Sequence, residues 1–201
     1  MLTSSHKPAG ALDVESGDDG VDKGGSLVLS ASIKRIHVGN DAPELAILDV
    51  FCYKSLLFVI DAEARKAGVK VIAPLRGKAL EAVLSFQTHQ ALHDHHTGIE
   101  IVSPQAYLDF CYLTAHAQGV ISDSGNVAEE ATFNGVPCIT LNDYTEHIET
   151  VKVGTNELVG EDAEILAAML QKIFKGEWKK AGIPDRWDGR SAERILQILC
   201  D

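Results

Sequence analysis

The residues best placed to do chemistry lie in 121–130, ISDSGNVAEE, where an apolar run ends in Ser124-Gly125 and passes directly into a segment with two consecutive glutamates. A strand that turns into a helix through Ser-Gly presents unpaired helix N–H groups and the positive end of the helix dipole to whatever lies in front of it. Gly125 permits close approach to the backbone, Ser124 adds a hydroxyl donor, and Asn126 is small and polar with helix-capping character. These features suit a diphosphate. Glu130 stands about a turn and a half along the helix. A carboxylate there is best used to accept hydrogen bonds from ribose hydroxyls. The spacing leaves a second reading open, in which Asp123 or Ser124 merely caps a helix and Glu129 and Glu130 are solvated residues matching its dipole.

Such a site needs a scaffold that starts a helix beyond a strand end. From 26–30 (SLVLS) onward, short β-branched runs alternate with longer amphipathic ones. The pattern predicts a helix within 43–67, a strand at 69–73, a helix at 78–93, a strand at 99–103 and a helix at 105–118. It continues with a strand at 119–122, a helix at 126–133, strands at 138–141 and 157–159, and a helix at 162–174. This rhythm predicts an α/β fold, a doubly wound parallel sheet of Rossmann-like type. Ser191 opens a last amphipathic helix with Ile195, Leu196, Ile198 and Leu199 as its apolar stripe and Arg194 facing out. Asp188-Gly189-Arg190 reads as a turn that lets this helix pack back on the sheet.

With 201 residues, 45% hydrophobic and 23% charged, the chain has material for one well-buried core. Residues 1–25 hold five acidic residues and two lysines without apolar periodicity, which predicts a disordered acidic tail ahead of a domain at 26–201. A formal charge of −11 repels a phosphate backbone, so nucleic acid is not an expected partner. The absence of a secretory pattern and of a long apolar run argues against a membrane and for the cytoplasm. Cys52, Cys111, Cys138 and Cys200 form no CxxC pair and read as reduced, buried thiols. His89 and His93 stand four residues apart, the spacing of a zinc pair, but no third ligand of clear geometry is near. No metal or cofactor is expected. GxSxG, Walker A and GxGxxG strings are absent, which sets aside the standard hydrolase, NTPase and nicotinamide classes.

The stretch ISDSGNVAEEATFNGVPCITLNDYTEHIETVKVGTNELVG resembles the UDP-binding segment of non-hydrolysing UDP-N-acetylglucosamine 2-epimerases. That family typically reads DSGG, two glutamates, GxPxL, TERPE and GTN-LVG in this order. The likeness also takes in 69–74, 104–110 (PQAYLDF) and 187–195 (WDGRSAERI). It implies one half of a glycosyltransferase-B-type fold, with UDP or UDP-GlcNAc against this half and the sugar directed into an interdomain cleft. By resemblance, Ser124, Gly125 and Glu130 contact UDP, and Phe110 lies near the uracil. The helical pattern of Tyr107, Phe110, Cys111 and Ala115 equally describes an apolar packing face.

Several positions depart from the family's pattern. Asn126 stands for the second Gly of DSGG, and His147 and Asn142 stand where Arg is usual, replacing a fixed charge with smaller polar groups. Pro-Val-His-Pro becomes 74–77, PLRG, so Arg76 offers a guanidinium either to phosphate or to solvent. A family His-Arg pair after the first strand has no clear counterpart, with Lys34, Arg35 and His37 slightly later as substitutes. The family's acid and base carboxylates belong to an N-terminal half, whereas an acidic tail precedes residue 26 here. The expectation is a grip for the UDP leaving group without a complete site for elimination and re-addition at the sugar. A genuine epimerase would then require a separate catalytic half or a partner chain with the missing carboxylates. Separately, a homodimer is one cover for the cleft face that an isolated half exposes. The alternatives are a catalytically inactive UDP-sugar-binding module and a decayed, truncated homologue.

Overall fold

Alternation along the strands builds the molecule in layers. The computed structural model describes residues 26–30, 45–91 and 97–200. Its elements are β1 (Ser26–Ser30), α1 (Leu45–Ala67), β2 (Lys70–Pro74), α2 (Gly77–Ala91), β3 (Ile99–Val102), α3 (Tyr107–Ala115), β4 (Gly119–Ser122) and α4 (Gly125–Phe133). They continue with β5 (Cys138–Thr140), α5 (Ile148–Lys152), β6 (Asn156–Leu158), α6 (Ala163–Lys175) and α7 (Ser191–Cys200). The six strands pair in parallel in the order β3-β2-β1-β4-β5-β6. The expected doubly wound, Rossmann-like sheet is therefore present, its predicted strands and longer helices placed within a few residues.

Successive strand residues point to opposite faces. Leu27 and Leu29 of β1, Val71 of β2, Ile121 of β4 and Ile139 of β5 pack on one face with Ile60, Val83, Leu166 and Leu170 from α1, α2 and α6. Val28, Val120 and Cys138 face the other way, against Val127, Ala128 and Ala131 of α4, with Phe110 and Leu113 of α3 at the margin. Right-handed crossovers account for this division. The chain winds outward from β1 to β3, returns to β4 beside β1, and then winds outward in the opposite direction. Between β1 and β4 the winding direction switches, and α/β sheets hold ligands beyond the strand C-termini at such a point.

Two expectations need correction. The predicted final helix does not pack back on the sheet: α7 has no buried residue, and Ile198 and Leu199 are 77% and 75% exposed. Its apolar stripe records a face without indicating what covers it. Arg194 is not simply turned outward, because its Nη1 donates to Asp188 Oδ1 at 3.0 Å. The Asp188 turn is present, with the Arg190 N–H donating to the same oxygen at 3.0 Å. The tail 1–25, Lys34, Arg35, His37, His93, His95 and His96 lie outside the described residues. Among the described residues Cys111, Cys138 and Cys200 are free thiols. Cys138 is buried as expected, whereas Cys111 is half-buried and Cys200, on the uncovered α7, is exposed, which corrects the expectation of burial for those two. Burial pushes the Cys138 thiol up to about 12. No helix among the described residues is long and apolar enough to cross a membrane.

Candidate functional site

The turn after β4 is pinned from two sides. The Ser122 hydroxyl accepts a hydrogen bond from the Ser124 N–H at 3.0 Å, and the Asn142 side-chain amide donates to the Asp123 carbonyl at 3.1 Å. Ser122 and Asp123 are buried, at 0% and 3% exposure, so their side chains are enclosed while the chain beyond them emerges. Ser124 occupies the N-cap position of α4 in extended backbone, with φ −102° and ψ 126°, yet its side chain makes no capping hydrogen bond. The hydroxyl is therefore not committed to the helix.

The start of α4 opens into a cleft of about 510 Å³. Ser30, Pro74 and Asp123 bring the C-terminal ends of β1, β2 and β4 to its wall, which places the cleft at the switch in winding direction. Five of the seven residues singled out from the sequence line it together: Ser124, Asn126, Glu130, Phe110 and Arg76. Arg76 and Asn126 are exposed, whereas Phe110 is half-buried and also packs on the α4 side of the core. The packing and cleft-lining readings of Phe110 thus both describe it.

Gly125 and His147 stand together just outside that lining. A Cβ on Gly125 would lie 2.5 Å from His147 Cδ2 and 2.7 Å from His147 Nε2, so only glycine leaves room for the imidazole. The ring's other nitrogen, Nδ1, lies 2.8 Å from Glu129 Oε1. The His147 N–H donates to Thr145 Oγ1 at 3.1 Å and its carbonyl accepts from Thr150 Oγ1 at 2.7 Å, which fix the backbone from which the ring projects. No sequence spacing reveals this contact, because the partners are separated by a strand and a loop.

Tyr107 also lines the cleft, although the sequence presents it as one member of an apolar helix face. It is 68% exposed. Its phenol is held above the ordinary value by hydrogen bonding with the Cys111 thiol and by that group's charge, and then by the Glu130 carboxylate. Tyr107 of α3 and Glu130 of α4 both line the cleft. Pro104 and Gln105 complete this wall, in the segment whose likeness to the family the sequence already displayed.

The GTN stretch does a different job. The fully buried Asn156 side chain accepts from Thr140 Oγ1 at 2.8 Å and donates to Thr150 Oγ1 at 3.2 Å. Thr155 N–H donates to Thr132 Oγ1 at 3.3 Å, and Trp178 Nε1 donates to the Thr155 carbonyl at 2.7 Å. This closed network ties α4, α5 and β6 together behind the cleft, so the motif positions the site without entering it.

The comparisons with known proteins agree with this geometry. The family profile described as UDP-N-acetylglucosamine 2-epimerase matches residues 53–200. The UDP-N-acetylglucosamine 2-epimerase of Methanocaldococcus jannaschii is 44% identical over 103 residues, which make up 50% of this chain and 27% of that protein. That of Methanococcus maripaludis is 32% identical over 146 residues, covering 72% of this chain and 38% of the relative. The structure of the M. jannaschii enzyme superposes with a TM-score of 0.66 at 28% identity, covering 90% of this chain and 46% of the other. A structure of that enzyme in complex with UDP-GlcNAc and UDP gives a TM-score of 0.65. The chain thus spans less than half the length of these relatives. The motif order, the half-fold and the profile match agree: this chain belongs to the UDP-N-acetylglucosamine 2-epimerase family.

Proposed function

We propose that the chain is the UDP-binding half of a UDP-N-acetylglucosamine 2-epimerase, holding UDP or UDP-GlcNAc at the N-terminus of α4. Residues 26–201 act in this reading as one nucleotide-sugar-binding unit. The diphosphate rests on the N–H groups of Gly125 and Asn126 and on the Ser124 hydroxyl, with Arg76 supplying positive charge and His147 a further polar contact. Glu130 accepts the ribose hydroxyls, and the base lies towards Phe110. The observation carrying this reading is the start of α4 at the switch-point cleft, where the Ser124 side chain makes no capping bond and Glu130 lines the same cleft from the same helix.

Epimerisation by elimination of UDP to a glycal and re-addition from the other face builds negative charge on the departing diphosphate. Helix N–H groups aimed at that charge stabilise it without having to reorganise. Proton removal and return require acid and base groups in a closed site. A catalytic half or a partner chain bearing those carboxylates would provide them, and the cytosol would be the place of action. Conversion of UDP-GlcNAc to UDP-ManNAc is then expected only when that half is supplied. The departures at Asn142 and His147, which give up fixed positive charge, favour a second reading, a decayed homologue that binds no ligand.

Calorimetric titration of the full chain with UDP and UDP-GlcNAc tests the nucleotide site. Glu130→Ala should weaken both by about 10- to 100-fold, the size of a lost charged hydrogen bond. Saturating UDP, at about 100 times its dissociation constant, should add about 2.7 kcal/mol of stability and raise the thermal midpoint. No heat and no midpoint shift would leave the family membership as ancestry and sink the binding reading in favour of the decayed homologue.

A further inference from the structure

We propose that Glu129, His147 and Glu149 form a divalent-cation site beside the start of α4, and that the cation couples to the bound diphosphate. The cation site is argued from these three side chains. Its coupling to nucleotide rests on the function proposed above.

Each of the three residues offers one ligand atom, and these atoms lie within 4.8 Å of one another. Oxygen and imidazole ligands held at about 2.0–2.2 Å from a metal are separated by up to roughly 4.4 Å, so sub-ångström adjustments would complete the arrangement. Glu129 comes from α4, His147 is the N-cap of α5, and Glu149 lies in the first turn of α5. All three are half-buried, which keeps the carboxylates near one another and leaves room for water or a ligand at the open positions. One imidazole with two carboxylates is a donor set suited to a first-row divalent cation.

Charge adds a further consideration. Among the described residues the cleft lining carries one arginine, Arg76, and the carboxylate of Glu130. A cation held by Glu129, His147 and Glu149 would offset the charge of its own carboxylates and add to the attraction that Arg76 and the positive end of α4 exert on a diphosphate. His147 also stands where the family usually places the fixed charge of Arg.

The imidazole geometry links the two ligands. Nδ1 sits 2.8 Å from Glu129 Oε1, on the side of the carboxylates. A cation on Nδ1 places the proton on Nε2. Nε2 is the nitrogen that would lie 2.7 Å from a Gly125 Cβ, and it thus faces the helix start. A cation on Nδ1 would thus present an N–H donor towards the helix start, where the diphosphate is proposed to rest.

The test uses metal-stripped full-length chain. Mn²⁺ alone is titrated into the unaltered protein, His147→Ala and Glu149→Gln, and UDP is titrated into each in EDTA or in saturating Mn²⁺. The expected result is one Mn²⁺ site, weakened at least 10-fold by either substitution, and a UDP affinity at least 10-fold higher with Mn²⁺ than in EDTA. Formation of Mn²⁺–UDP in solution is common to every variant, so the difference between variants reports the protein's site. His147→Arg should bind UDP equally with and without Mn²⁺, because its guanidinium replaces the cation. Mn²⁺ binding that both substitutions leave unchanged would overturn the site. UDP affinity indifferent to Mn²⁺ in the unaltered chain would overturn the coupling while leaving the nucleotide reading intact. Mn²⁺ binding lost in the variants, with UDP bound under neither condition, would support the cation site and sink the nucleotide reading.

Discussion

Two helices of this chain begin in opposite ways. At α6, Asp162 stands at the N-cap and its Oδ1 accepts from the N–H groups of Glu164 and Ile165, both at 2.9 Å. At α4, Ser124 occupies the same position with its side chain uncommitted. Both helices bury an apolar face on the sheet, through Leu166, Leu170 and Ile173 in one case and Val127, Ala128 and Ala131 in the other. Packing therefore does not separate them. What differs is the N-cap side chain: Asp162 is committed to the first turn of α6, whereas Ser124 is free of its helix and lines a cleft at the sheet's switch point. A helix start that forgoes its cap beside such a cleft holds donors in reserve for an anion.

The comparison breaks most sharply if α4 is given the cap that α6 has. Ser124→Asp would accept from the first-turn N–H groups and place a carboxylate where the diphosphate belongs. It should stabilise the helix by about 0.5 kcal/mol while weakening UDP binding by more than about 100-fold. Thermal melts and UDP titration of the same sample read both effects. A variant that binds UDP as well as the parent would show that the start of α4 is not the phosphate site.

Gly125→Ala asks whether the helix start and the His147 ring act as one unit. The added methyl would overlap the imidazole, which must swing away from Glu129. A fall of about 10- to 100-fold in UDP affinity is expected, with a stability cost of about 1–2 kcal/mol from overpacking. Unchanged affinity alongside the stability loss would make the ring a packing element alone. At the other helix, Asp162→Ala should cost about 1 kcal/mol, a midpoint drop of roughly 2–4 °C, and leave UDP affinity untouched. A change in affinity there would mean that the two helix starts are coupled rather than independent.

Most of the fold was legible because alternation and amphipathic periods are local properties. The strand 26–30 and the SG turn at 124–125 could be placed from a few residues each. The five-residue α5 could not, because one turn of helix within TEHIETVK has no period to read. The meeting of His147, Gly125 and Glu129 escaped for a different reason: it is a tertiary contact created where two connections converge at the same sheet edge. Tyr107 was visible as an aromatic on a helix face, yet only the placement of α3 beside α4 brings it and Glu130 to one cleft. The stripe on α7 was read correctly as a pattern and incorrectly as a contact, since periodicity specifies a face and not its covering.

The start of α7 offers a third arrangement and the smallest expected effect. Asp188 accepts from the Arg190 N–H and from Arg194, which reaches back from the first turn of α7. Hydrogen bonding from the Arg194 side chain first, and from the Arg190 backbone second, lowers the Asp188 carboxyl from 3.8 to about 2. A carboxyl depressed on folding contributes stability that is fully present above its unfolded value and is lost as pH falls through its folded value. The relevant window runs from about pH 4 down to about pH 2. Asp188→Asn removes the contribution at every pH, so the parent should be slightly more stable at pH 7, and the difference should vanish towards pH 2. The group is exposed and solvent screens its pairing, so the effect is small at any pH. Melting followed by helical circular dichroism at pH 7, 4 and 2 measures the difference directly. If it stays constant across the window, the ionised carboxylate does not hold the start of α7, and the turn relies on backbone geometry alone.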